Sequence, residues 1–194
     1  MECAEMFKVS GSSSWEGDVK TGDMKVSGSC ACEGALTAAG KVSCSGSLKC
    51  RKSLKCDRLK GSGVLEVDGD IEAEEVRMDG QLKCGGLLNA ESVEIVVNRG
   101  MCIGSIGGSR IVIYRESERV KRLPLFSLLS GASHGSVKVS ASVEGDDIAL
   151  EGVTCPRVTG RIVAIGAGCH IDLVQYSEKI EISPDAKVGR TEKI

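Results

Sequence analysis

The chain has 194 residues, and its 25 basic and 27 acidic side chains leave a formal net charge of −2. This near-balance does not indicate a nucleic-acid-binding protein or one that adheres to anionic membranes through its overall charge. Aromatic residues make up only 3% of the chain, too few for a typical globular core, whereas glycine is abundant at 25 residues.

No apolar run approaches the roughly 20 residues that a membrane-spanning helix needs. The first residues, MECAEMFKVSG, lack the basic region and the apolar stretch of a secretory signal peptide. We therefore expect a cytoplasmic protein, with the segment 115–135 described below as a candidate contact with a membrane surface.

One short pattern recurs between Phe7 and Arg110. Its glycines follow one another at steps of 17, 18, 17 and 17 residues: Gly11, Gly28, Gly46, Gly63 and Gly80. Apolar residues stand four places before each glycine: Phe7, Met24, Val42, Leu59 and Val76. Small residues stand ten places after it: Thr21, Ala38, Cys56, Ala73 and Ala90.

Two periods in this pattern predict an all-β fold. Within a repeat, apolar and polar side chains alternate, which is the period of a half-buried strand. Between repeats, about 17 residues accommodate three short strands, and such a unit buries its inner face only when it stacks on copies of itself. The sequence therefore predicts a parallel β-solenoid, or β-helix, in which glycines supply the backbone angles of the bends.

The regularity varies along the chain and suggests four segments. Residues 1–114 form the N-terminal coils of the solenoid, and residues 136–183 form C-terminal coils of the same stack. Residues 115–135 are an insertion that interrupts the stack, and residues 184–194 are a turn and a polar tail.

The insertion, RESERVKRLPLFSLLSGASHG, begins with four basic and two acidic residues and continues with an apolar half. The apolar residues are Leu123, Leu125, Phe126, Leu128 and Leu129. This half either packs on the flank of the solenoid or serves as an arm that contacts a protein partner or a membrane surface, since basic residues beside a short apolar segment suit an interface.

Six of the ten cysteines fall in inward-facing columns: Cys30, Cys32, Cys44, Cys50, Cys56 and Cys84. A free cysteine behaves as a small apolar residue, so we expect these thiols to fill a narrow core. A disulfide ladder and a metal site built from Cys44, Cys50 and Cys56 are alternatives, but the three lack a fourth ligand nearby in sequence. We predict no metal and no cofactor.

Acidic residues alternate along one stretch: Glu66, Asp68, Asp70, Glu72 and Glu74. They fall on the solvent side of successive strands, and basic residues on adjacent coils lie within reach of them. We expect a charge-paired outer face rather than a calcium site.

Each end of a β-solenoid exposes a row of unpaired backbone groups, as an edge strand does, and these groups can pair with another molecule. The residues predicted to form such a contact are Phe7, Val9 and Trp15 at the first coil, and Ile171, Leu173, Ile180 and Ile182 at the last. The alternative is that Trp15 and the C-terminal tail cap the ends, so that assembly stops at a dimer.

The stretch SGSLKCRKSLKCDRLKGSGVLEVDGDIEAEEVRMDGQLKCGGLLNAESVEI resembles the bactofilins, the bacterial polymer-forming cytoskeletal proteins, and above all the variants of spore-forming bacteria. The resemblance covers residues 24–113 well and 136–190 more loosely. It implies a right-handed β-helix, filaments that form end to end without nucleotide, and a scaffold role in cell shape, envelope organisation or motility.

We therefore predict a non-enzymatic scaffold whose partner is itself, with no nucleic acid and no small-molecule substrate. One alternative is a solenoid adaptor that docks a partner through residues 115–135. A β-helix transferase is less well supported, because apolar residues alternate every two places and the two histidines stand in irregular segments.

Overall fold

The computed structural model describes residues 6–115 and 135–194, and all regular elements in these ranges are β-strands. The early strands have two to four residues, whereas many later ones continue around the corners of the coil. They are β1 Met6–Val9, β2 Ser12–Trp15, β3 Val19–Thr21, β4 Asp23–Val26, β5 Ser29–Cys32, β6 Leu36–Ala38, β7 Lys41–Cys44, β8 Ser47–Cys50, β9 Leu54–Lys55, β10 Arg58–Gly61, β11 Val64–Val67, β12 Ile71–Met78, β13 Gln81–Val97, β14 Met101–Arg115, β15 Val137–Val139, β16 Ser142–Leu150, β17 Val153–Ile165, β18 His170–Ile182 and β19 Lys187–Lys193.

All pairings between these strands are parallel, and each joins one coil to the next. Strands β1, β4, β7 and β10 stack on a first face, β2, β5, β8 and β11 on a second, and β3, β6 and β9 on a third. One column on the first face runs through all ten coils: Phe7, Met24, Val42, Leu59, Val76, Val93, Ile111, Ile148, Val163 and Ile180. The predicted parallel β-solenoid is confirmed.

The stack continues on both sides of the segment 116–134. The column step is 17 or 18 residues from Phe7 to Ile111 and 15 from Ile148 to Val163. Strand β14 ends on the first face at Arg115, and β15 begins on the second face and pairs with Met101. The described residues on either side of the segment, Arg115 and Gly135, therefore belong to the same coil. The arm residues Leu123, Leu125, Phe126, Leu128 and Leu129 lie outside the described residues.

Side chains from the three faces fill one continuous core that extends from Val9 to Val174. Its members are Val, Ile, Leu, Met, Cys and Ala, and most are less than 3% exposed. Burial of one such aliphatic side chain stabilises the fold by about 1.5–3 kcal/mol, so the inward columns are the main source of stability. The part of the chain that the structure describes contains no helix able to span a membrane.

The last eleven residues differ from the expectation of a turn and a polar tail. Residues 183–186 do form the corner, but β19 then pairs in parallel with β18 over most of its length. Its sequence, KVGRTEK, has only one apolar side chain, Val188, so the strand shows no alternation of apolar and polar residues. Backbone hydrogen bonds to β18 hold this strand in place, and an apolar pattern in the sequence does not predict such bonds.

The glycine column at the first corner has a different cause from the one predicted. Positive φ angles occur among the described residues only at Gly17, Gly152 and Gly168. At Gly28, Gly46, Gly63 and Gly80, an added Cβ would instead overlap the carbonyl oxygen of the glycine one coil earlier. Close backbone approach, rather than backbone angle, therefore requires glycine in this column.

Replacing Gly63 by alanine should lower the free energy of unfolding by about 3 kcal/mol, because the new methyl group forces the third and fourth coils apart. Gly11→Ala is the matched control, since an added Cβ at Gly11 meets no atom within 4 Å. Its effect should stay within about 0.5 kcal/mol. Urea unfolding of dilute protein checks both values, and equal losses in the two variants would contradict the close-approach explanation.

Candidate functional site at the two ends of the stack

The outermost coils among the described residues have strand edges that are paired on one side. Within residues 6–115 and 135–194, β1, β2 and β3 pair with β4, β5 and β6 and with no other strand. In the same ranges, residues 179–182 of β18 pair with β17 alone, and β19 pairs with β18 alone. On the other side, the described residues offer these edges no partner, and a strand edge of this kind can pair with a further strand.

The first coil closes its side of the core with two aromatic rings. The rings of Phe7 and Trp15 meet edge to face, with their centroids 5.0 Å apart and an interplanar angle of 74°. Both are partly buried against the core, next to Val9, which is only 3% exposed. All three residues predicted for this end therefore lie together there, and Met6 beside them is 56% exposed.

The last coil contains only two of the four residues predicted for it. Ile180 and Ile182 stand on the open edge, and Ile182 is 43% exposed. Ile171 and Leu173 lie one coil further inside, where β19 covers them. This correction follows from β19, whose polar sequence gave no sign of a further strand after β18.

The end contains further apolar residues that sequence reasoning missed. Val188 stands over Ile171, and Ala186, Val188 and Tyr176 pack against the core. Ile194 is 64% exposed and donates its backbone N–H to the carbonyl of Tyr176 at 2.9 Å. The alternation in β18 predicts Tyr176 as a strand residue, but no pattern marks Val188 or Ile194 as members of an end.

Charged side chains on the flanks pair across coils, as predicted. Glu66 binds Lys49 of the previous coil at 3.0 Å and Lys83 of the next at 2.7 Å. The hydrogen bonds from Lys83 and Lys49 lower the pKa of Glu66. Asp68 binds Arg51 at 3.3 Å, and Glu72 binds Lys55 at 2.6 Å, also across coils. Each exposed pair contributes about 0–1 kcal/mol, so these pairs select register more than they supply stability.

The six cysteines predicted to face inward are all buried, together with Cys155 and Cys169, whereas Cys102 is exposed. Every cysteine in the described ranges is a free thiol. Across those same ranges, Cys44, Cys50 and Cys56 included, no group of three His, Cys, Asp or Glu residues could hold a metal ion.

Burial controls the chemistry of these thiols. It raises the pKa of Cys30 and Cys56 to about 12, from an ordinary value of 9.0. It raises the pKa of Cys44 and Cys84 to about 11, where backbone hydrogen bonds at Gly46 and at Gly86, respectively, partly oppose the effect. Burial also raises the pKa of Cys50. These thiols therefore stay protonated and act as core residues at neutral pH.

Comparisons with known proteins give one curated match. No family model matches the chain, and no solved structure matches it. The chain is 30% identical over 110 residues to the uncharacterized protein YhbF of Bacillus subtilis (strain 168). The match covers 56% of this chain and 42% of YhbF, so the chain spans less than half the length of that relative.

The raised thiol pKa values predict that the protein loses stability in alkali. Above about pH 9 the thiols ionise in the unfolded chain while those in the folded chain keep their protons, so unfolding is favoured as the pH rises. Each thiol contributes a slope of about 1.4 kcal/mol per pH unit up to its folded pKa.

Cys50→Val isolates this effect, because Cys50 stands between Cys32 and Val67 in a column that already contains a valine on the next coil. Urea unfolding under reducing conditions should show a shallower alkaline decline for the variant, by about 1.4 kcal/mol per pH unit. Parallel pH profiles for the two proteins would show that Cys50 does not ionise on unfolding.

Proposed function

We propose that the protein is a non-enzymatic structural scaffold, similar to the bactofilins, whose copies assemble end to end without nucleotide. The observation that supports this proposal is the pair of outermost coils among the described residues. In both, strand edges that have no partner within those residues lie beside apolar side chains, Phe7 and Trp15 in one coil and Ile180 and Ile182 in the other. An exposed edge with apolar neighbours is a surface to which a further strand adds readily.

The chemistry of the contact requires no energy source. A further coil at either end gains backbone hydrogen bonds and buries apolar side chains, the same interactions that hold each coil of the chain to the next. The glycine run from Gly104 to Gly108 lacks the Lys-Ser/Thr pair that completes a phosphate-binding loop. Nucleotide-free assembly in the cytoplasm, in support of cell shape or envelope organisation, fits these features.

A second candidate function is that of an adaptor that docks a partner through residues 115–135. It is favoured by the position of the segment's attachment points, Arg115 and Gly135, which lie on the seventh coil and away from both ends. Deletion of residues 116–134 separates the two functions. Loss of a bound partner with assembly intact would favour the adaptor.

Purified protein without nucleotide should form elongated polymers, seen by negative-stain microscopy and by sedimentation. Trp15→Arg and Ile182→Arg should each raise the concentration required for assembly by about tenfold or more, because each leaves a charge in an apolar contact. Leu87→Arg is the matched control, since Leu87 is 42% exposed on the flank of a central coil.

Two outcomes would overturn the proposal. A monodisperse monomer or dimer at all salt concentrations would show that the end coils are capped. Equal assembly by all three variants would show that the polymer forms through the flanks. Thermal unfolding of each variant at low concentration establishes that the monomer still folds.

A further inference from the structure

Basic side chains are concentrated on one flank of the stack. On the first face of coils one to five, the outward positions contain six basic and two acidic residues. The basic residues are Lys8, Lys25, Lys41, Arg58, Lys60 and Arg77, and the acidic residues are Asp23 and Glu75. This local excess stands in a chain whose formal net charge is −2, so the overall composition gives no sign of it.

Cations on this face stand over one another in register. Three pairs lie one coil apart: Lys8 and Lys25, Lys41 and Arg58, and Lys60 and Arg77. On the second face the signs alternate instead, and Glu66 lies between Lys49 and Lys83. Like charges directly opposite each other on neighbouring strands are destabilising. The first face therefore bears a repulsion that this column of the second face avoids, and a bound anion would relieve it.

A cavity of about 460 Å³ opens among these cations. It lies where Ser43 stands between Lys25 and Lys60 in one column, so that a short side chain separates two long ones. Successive coils are about 4.8 Å apart, which places the strands of the two lysines about 10 Å from each other. Lys41 and Arg77 line the same cavity, so four cations surround it.

Three of these four cations have no acidic partner among the described residues. Lys25, Lys41 and Lys60 form no ion pair with any residue in the ranges 6–115 and 135–194, whereas Arg77 contacts Glu94 at 3.5 Å. Lys25 and Lys60 are also exposed, so their ammonium groups are free to turn toward a ligand. The cavity therefore has a surplus of positive charge that the described part of the chain does not neutralise.

The remaining lining is polar and small. The hydroxyl groups of Ser43, Ser45 and Ser62 can donate hydrogen bonds to an oxyanion. The carboxylate of Asp79 also lines the cavity, and it accepts a hydrogen bond from Asn98 at 2.5 Å. The described lining residues include no aromatic ring, so the cavity offers nothing on which a nucleoside base would stack.

This combination of groups suits phosphate better than carboxylate. A phosphate group carries up to two negative charges and three strong acceptor oxygens, and lysine side chains bind it as point charges. Four cations around one cavity match more than one such group. A ligand with adjacent phosphates would therefore neutralise several of the cations at once.

We propose that this cavity is a binding site for adjacent phosphate groups. Lys25, Lys41 and Lys60 bind the phosphate oxygens, and Ser43 leaves the space that the ligand occupies. Soluble oligophosphates and the headgroups of an anionic lipid surface both present this chemistry. The site lies on the flank of the stack and is independent of end-to-end assembly.

Neutralisation of the three unpaired lysines tests the site. The probes are tripolyphosphate, followed by calorimetry, and vesicles of phosphatidylcholine and phosphatidylglycerol, followed by co-sedimentation. K25Q/K41Q/K60Q should weaken binding by about tenfold or more, because it removes three of the four cations. The loss should shrink in high salt, since the lysines are accessible to solvent.

A matched control separates the site from net charge. K20Q/K138Q/K187Q removes the same charge from exposed positions on the second and third faces. Its affinity for the probe should stay within about twofold of that of the unaltered protein. An equal loss of affinity in the two triple variants would show that net charge alone attracts the probe, and would overturn the proposal.

Ser43→Phe distinguishes a cavity from a merely charged face. It keeps every charge but fills the space between Lys25 and Lys60, so binding should weaken by about tenfold. Ser29→Phe, at an exposed position of the second face, is the control for an added aromatic ring. Equal affinity in the two phenylalanine variants would contradict a site in the cavity.

The two probes also identify the source of the phosphate. Binding of tripolyphosphate without binding of vesicles assigns the site to a soluble ligand, whereas binding of vesicles, with the same losses in the variants, assigns it to lipid headgroups. If the unaltered protein binds neither probe at phosphate concentrations of about 1 mM, the proposal is wrong. Thermal unfolding without a probe establishes that each variant folds.

Discussion

The parallel backbone ladder between successive coils is the constraint on which the rest of the molecule depends. Because each strand pairs with the strand one coil away, each residue stands directly over the residue 17 or 18 places earlier in the regular part of the chain. Side-chain character is therefore selected by column. Glycine repeats where backbones approach closely, aliphatic residues repeat inside, and opposite charges alternate outside.

The narrow interior that results explains the unusual composition. Three strands of a few residues enclose room for aliphatic side chains and thiols but not for a ladder of stacked rings, so eight buried cysteines serve as small apolar residues. The described aromatic residues lie at positions where the width of the core does not limit the size of the side chain. Phe7 and Trp15 close the first coil, Tyr176 lies close to the last, and Tyr114 binds Glu94 with its hydroxyl group on the outside.

The same constraint decides how much could be predicted from sequence. The glycine spacing and the alternation within each repeat were sufficient to predict the fold and the burial of cysteines such as Cys50. The fold and this burial both follow from the stacking of coils. The location of Ile171 and Leu173 could not be predicted, because β19 contributes backbone hydrogen bonds with only one apolar side chain, Val188. The reason for the glycine column could not be predicted either, because a positive φ angle and a close approach between two backbones both favour glycine.

The same ladder explains what the exposed charges contribute to a stack of similar repeats. A shift of one coil by two residues would keep every side chain on its own face of the sheet, so the alternation of apolar and polar residues alone does not exclude it. Such a shift would separate Glu66 from Lys49 and Lys83, which bind it from the coil before and the coil after. The backbone and the apolar columns therefore hold successive coils together, and the charged columns help to select their register.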